Sequence, residues 1–349
     1  MKTRIGLWGW LIRLLGIGYP VGLLAIILLL RLVGERSWVV TILLYLPRLG
    51  FALPLPFVAL LLLVFGPRPL LLAQLVSVAL LVFPLMGLRL SGPAAPTPDA
   101  AAHLRVVSYN VDSGRAGPEA IVAQLRATKA DVILLQEIRG RMRAALKDGL
   151  NGYQVHTSGQ FWTASRYPIE EVFEAEPVMH DGVSRSSRFI RYRLALPSGP
   201  IYVYSVHPVS PREALDDLRG EGLRSEMASG RIFSGSGAPG VIANTSLRVQ
   251  QIRGIAEDAA RSPYPTLIVG DTNLPTLSWA FSHWLGRFRD GFAEVGRGFG
   301  YTFPAPKHPW MRIDRILASP RFRFLSFAVA QERTSDHFAV TAELELTRR

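Results

Sequence analysis

Residues 268–275 read IVGDTNLP. The apolar run that arrives from Pro265 has the composition of a β-strand, and it stops at Gly270. Asp271, Thr272 and Asn273 follow at once. An acid and an amide two residues apart at a strand end either turn the chain or form a site. One such end is usually a turn. Here the pattern recurs. VVSYN ends at Asn110, VILLQE at Glu137 and YVYSVH at His207. RIDRIL carries Asp314 inside a strand, and TSDHFAV opens the last strand with Asp336 and His337. A buried acid costs several kcal/mol unless it is paired or bound to metal. A domain that collects four of them implies a cation.

The surrounding pattern is that of an α/β layered domain. DVILLQE (131–137) is continuously apolar, as in a strand covered on both faces. Strands are predicted at 104–111, 131–137, 187–196, 201–207, 265–271, 312–318, 324–331 and 337–346. Helices are predicted near 118–129, 139–148, 247–260 and 276–285. The Gly- and Ser-rich segment 211–246 interrupts this rhythm and reads as a mobile loop.

In order and spacing, SYN, LLQE, SRYPI, SVHP, GDTN, RIDRI and SDH resemble the endonuclease/exonuclease/phosphatase superfamily, over residues 104–346. The resemblance implies a four-layered, DNase I-like α/β sandwich that hydrolyses phosphoesters with Mg²⁺, or with Mn²⁺ in its place. It further implies Glu137 as principal metal ligand, with Asn110 and Asp336 beside the metal. Asp271 would deprotonate the attacking water. Asn273 would donate to the phosphoryl oxygen, and His207 would stabilise the phosphate or protonate the leaving group. Asp336 would hold His337, which contacts the phosphate or assists the water, and Asp314 would act as a supporting acid. By alternation along a strand, Asp271 and Asn273 would project the same way into one phosphate pocket. Blander readings exist for some of these residues. Asn110 also suits a turn cap, His207 a packed core histidine, and Asp314 an ion pair with Arg312 or Arg315. A binding module that keeps the fold without catalysis is the other functional class, and the full set of candidate ligands argues against it.

The first 90 residues differ in kind. Segments 14–30, 49–66 and 70–88 contain no charge. As helices rising about 1.5 Å per residue, each just crosses a hydrocarbon core of about 30 Å. Trp8, Trp10, Trp38 and Tyr45 flank them as interfacial aromatics do. Residues 37–47 are apolar but short, and read as an interfacial or re-entrant piece. The Pro- and Ala-rich stretch 91–102 reads as a linker to a catalytic domain at 103–349. Basic residues balance across the three spans. The amino-terminal cluster then places the catalytic domain outside the cytoplasm.

The chain has 349 residues, a net charge of +12 and no cysteine. Thiol nucleophiles, disulfides and cysteine-bound metals are therefore excluded. Residues 1–102 hold 8 Lys/Arg against 2 Asp/Glu, and the remaining residues hold 31 against 25. Both parts are thus basic by six. That suits an anionic phosphoester at a lipid bilayer, such as a phospholipid headgroup, and suits DNA or RNA equally.

Overall fold

The structure, a computed structural model, describes residues 6–98, 100–217, 238–306 and 308–347. With elements numbered along the chain, its centre is a pair of six-stranded mixed sheets. The first runs, in spatial order, β15 (Phe322–Val329), β16 (Val340–Leu346), β2 (Ala102–Asn110), β3 (Val132–Gln136), β5 (Phe161–Ser165) and β4 (Gln154–Ser158). The second runs β12 (Arg289–Asp290), β14 (Asp314–Ala318), β11 (Thr266–Asp271), β10 (Gly199–Val206), β9 (Phe189–Leu196) and β6 (Ile169–Glu174), and two short pairs, β1 (Arg89–Leu90) with β13 (Arg297–Gly298) and β7 (Val178–His180) with β8 (Val183–Arg185), lie outside them.

The sheets pack face to face. Side-chain alternation divides β3: Val132 and Leu134 enter the core between the sheets, whereas Ile133 and Leu135 point outward. Helices α5 (Pro118–Thr128) and α6 (Gly140–Gly149) cover that outer face. On the other sheet, Leu267 and Val269 of β11 point inward. Ile268 points outward beneath α8 (Pro239–Ala260). The result is four layers, helix on sheet on sheet on helix, as the resemblance implies.

Strand β11 lies parallel to β10, with Gly270 opposite Val206. Gly270 has φ +150°, and a Cβ there would run into the carbonyl oxygen of Val206. Glycine is thus required just before Asp271.

Several elements depart from the expectations. Strands β4 and β6 lie at sheet edges, half exposed and polar, so their apolar signal is weak. The segment expected as a loop at 211–246 contains α7 (Arg212–Asp217), and α8 begins at Pro239, well before 247. Proline suits a first helical turn, and Val241 behind it packs on Trp38. Residues 218–237 of that segment lie outside the described residues. The helix expected at 276–285 does not begin until Trp279. Asp336 and His337 lie in a bend ahead of β16, not within it.

The amino-terminal region forms α1 (Leu7–Leu32), α2 (Trp38–Tyr45), α3 (Pro54–Phe65) and α4 (Arg68–Leu80). Three segments, Leu7–Leu32, Arg48–Phe65 and Arg68–Leu85, are long and apolar enough to cross a membrane. Only 22%, 17% and 22% of them is buried in the protein. Helix α2 behaves differently. Trp38, Val40, Thr41, Leu44 and Tyr45 are buried in it, so Trp38 and Tyr45 are not interfacial aromatics. Leu44 and Tyr45 join Leu23, Leu30 and Leu81 in a cluster with Leu277, Met311 and Ile313 of the α/β part. The Pro/Ala stretch is also fastened down. Ala94 N–H donates to Leu325 O (2.7 Å) and Thr97 N–H to Glu345 (2.8 Å).

Arg312 and Arg315, which flank Asp314, both pair with Asp290 instead, each at 2.7 Å. Burial opposes the ionisation of Asp290, but the two guanidinium groups outweigh it and lower its pKa. Such a carboxylate stabilises the fold above its unfolded pKa of about 3.9, and that contribution is lost as pH falls through the depressed value. Asp290→Ala leaves two buried cations unpaired and is expected to destabilise the protein by about 3–5 kcal/mol. Denaturant unfolding of the full chain measures this.

Candidate active site

The ends of β2, β3, β10, β11 and β14 converge at one edge of the sandwich. Parallel pairing sets Asn110 of β2 against Gln136 of β3, so Glu137 follows directly beside it. Glu137 has φ +59°, which swings it out of the ladder. The Asn110 amide donates to Glu137 Oε1 (3.0 Å) and Asp271 Oδ2 (3.3 Å). Asn110 is therefore a bridge between two carboxylates and more than a turn cap.

Antiparallel pairing of β11 with β14 sets Asp271 directly opposite Asp314. Like charges so placed repel. His337 sits against both: its Nδ1 lies 2.9 Å from Asp314 Oδ2 and its Nε2 lies 3.7 Å from Asp271 Oδ2. The partner that holds His337 is thus Asp314 and not its chain neighbour Asp336. Asp336 stands at the rim, 3.9 Å from His337, and pairs with Arg212 at 2.7 Å. Burial disfavours a charged His337, but Asp314 and Asp271 outweigh burial and raise its pKa, so the ring carries a proton at neutral pH. Burial pushes the Asp271 carboxyl up, a shift only partly offset by His337. Asp314→Asn is expected to cut turnover about a hundredfold, in line with loss of a positioned acid–base pair. The alkaline limb of the pH–rate profile should also move to lower pH. An unchanged limb would remove Asp314 from control of that proton.

His207 is buried, and its Nδ1 lies 2.7 Å from Gln160 Oε1. With that oxygen as acceptor, Nδ1 carries the hydrogen and Nε2 is left with a lone pair. Burial first, then Arg188 and His337, lower the His207 pKa to about 3. A ring neutral at pH 7 holds no spare proton on Nε2 for a leaving group. Leaving-group protonation, expected of His207, therefore finds no support in this geometry. Gln160 escaped the sequence reading; it stands in the turn just before β5.

Asn273 lies beyond the end of β11 at φ +50°, so simple alternation does not place it beside Asp271. A local turn does. The Asn273 N–H donates to Asp271 Oδ1 (2.8 Å), and its side-chain amide donates to Pro208 O (3.0 Å). One amide hydrogen remains for a ligand.

These residues fit a hard divalent cation. The carboxylates of Asp271 and Asp314 come together beside His337, all three ligand atoms within 4.8 Å of one another, and with His337 protonated the donors to a cation are the carboxylate oxygens. Asp314 Oδ1 and His207 Nε2 are buried without a hydrogen-bond partner among the described residues. His207 Nε2 lies 3.6 Å from both Glu137 and Asp271. A lone pair facing two carboxylates calls for positive charge between them, and oxygen-rich donors favour a hard ion.

Comparison with known proteins supplies the lineage. The model of the endonuclease/exonuclease/phosphatase family matches residues 107–337. This chain belongs to that family. Its members are divalent-metal-dependent hydrolases of phosphoester bonds. No match is found among the curated proteins. Among solved structures, truncated Caenorhabditis elegans TDP2 superposes with a TM-score of 0.51 at 18% identity. That match covers 71% of this chain and 100% of that one. A family member from Bacteroides vulgatus gives 0.51 at 15% identity, covering 70% and 99%. D. rerio TDP2, complexed with a single-strand DNA product, gives 0.51 at 16%, also covering 70% and 99%. At these identities the likeness concerns the fold alone.

Proposed function

We propose that this chain is an integral membrane, Mg²⁺-dependent phosphodiesterase that cleaves the headgroup phosphoester of a phospholipid. One observation carries the choice of substrate. The region bearing the three membrane-length helices packs directly on the loop that follows Asp271. The reacting centre therefore works beside the bilayer surface, where headgroups are concentrated.

Glu137, Asn110 and Asp271 would hold the cation, which neutralises charge on the phosphoryl oxygens when bound. Asp271, made more basic by burial, orients the attacking water and takes its proton; as the water oxygen bonds to phosphorus, the opposite P–O bond breaks and the leaving alkoxide takes a proton from solvent water. Protonated His337, steadied by Asp314, donates to a phosphoryl oxygen as negative charge develops there. The remaining amide hydrogen of Asn273 donates to the same group. His207 faces Glu137 and Asp271 with its lone pair and fixes the pocket wall.

The test uses the full chain in vesicles of total membrane lipid with Mg²⁺, beside the Asp271→Asn form, with released products identified by mass. A headgroup or phosphate released only by the active form is expected. Cleavage of single-stranded DNA or RNA without lipid turnover would assign the site to nucleic acid.

A further inference from the structure

The catalytic loop is completed by the amino-terminal helices. Asn273 follows Asp271 by two residues, has φ +50° and is held at its carbonyl by the amino-terminal region. The Tyr45 hydroxyl of α2 donates to the Asn273 carbonyl at 2.8 Å, and this bond is buried. The Tyr45 carbonyl in turn accepts from Trp310 Nε1 (3.2 Å). Beside Trp310, Met311 bridges to Phe303, whose ring lies 4.8 Å from the ring of His337. Tyr45 is also linked, through Arg248, to the chain beyond β10. The buried Arg248 guanidinium sits 5.6 Å above its ring and donates to Val209 O, two residues beyond His207.

Glu35 makes a second attachment further along the same loop. Its carboxylate accepts from Ala280 N–H (3.0 Å) and from the Ser278 hydroxyl. It thereby caps the helical turn that starts at Trp279, from some 240 residues away in the chain. The approach is close: a Cβ on Gly34 would come within 2.7 Å of Trp279 Cβ. Arg36 stacks over the Trp279 indole at 4.0 Å.

We propose that Tyr45 and Glu35 are positioning residues of the active site, so that the membrane-embedded part sets the geometry of Asp271 and Asn273 as well as anchoring the enzyme. This rests on the hydrolase reading above, but its structural half can be tested without it. Tyr45→Phe removes one hydroxyl and keeps the packing. Tyr19→Phe is the matched control. Its hydroxyl donates to Phe51 O at 2.8 Å, so the bond it loses lies wholly within the amino-terminal region and not on the catalytic loop.

In full-length protein in detergent, with bis(p-nitrophenyl) phosphate and Mg²⁺, Tyr45→Phe is expected to lower kcat about tenfold with KM within about twofold, as loss of alignment does. Tyr19→Phe should leave both constants unchanged. Glu35→Gln should lower kcat by less than Tyr45→Phe. Hydrogen exchange across residues 273–280 should quicken in Tyr45→Phe and not in Tyr19→Phe, at similar melting temperatures. Equal kcat in the two Tyr→Phe forms, or equal exchange in that segment, would overturn the proposal. If the wild type cleaves no diester, the hydrolase reading fails, and the exchange contrast still decides this one.

Discussion

Asp271→Asn is expected to lower kcat at least about a thousandfold, the combined scale of a lost general base and a weakened cation site. Asp271 is in contact with most of the other groups in the site. It accepts from Asn110 and Asn273, faces His207 and His337, and stands opposite Asp314 across the sheet. The amide is nearly isosteric, so the fold should persist. An amide cannot take a proton from water, and it puts a neutral donor where His337 and the cation need negative charge. Single-turnover kinetics on the full chain check this. A loss below tenfold would assign the proton to another group.

Removal of divalent metal is expected to abolish turnover, with recovery on Mg²⁺ or Mn²⁺. The pairing of Asp271 against Asp314 underlies this expectation, because two buried carboxylates and Glu137 are only partly compensated by one protonated histidine. Metal should also stabilise the fold. At a hundred times its Kd the gain is about 2.7 kcal/mol, read as a rise in melting temperature. Protons compete for the same carboxylates. Because burial raises the Asp271 pKa, metal affinity should weaken as pH falls toward that raised value. Full activity in chelator would exclude the metal route.

The sequence made the centre of the fold legible and left its edges obscure. Strands β3 and β11 are buried on both faces, so they read as unbroken apolar runs that end at Glu137 and Asp271. Edge strands β4 and β6 lack that signal. An apolar segment reports that something covers it and does not report what. Residues 37–47 therefore read as membrane-interfacial, although α2 is covered by the catalytic part. Side-chain partners were the least legible. His337 has an acid next to it in sequence, yet sheet register delivers Asp314. Arg312 and Arg315 bracket Asp314 in sequence, yet turn to Asp290. Gln160 and Tyr45 contact the site through folds of the chain that no local pattern encodes.

The bond between Tyr45 and Asn273 joins positions 228 residues apart. During synthesis the helix that carries Tyr45 emerges first, and the loop it completes emerges much later. Contacts of such long range form late in folding. Competence is thus a matter of timing. On the role proposed for Tyr45, a newly made chain reaches its full working geometry only once residue 273 has emerged and met a helix made long before it.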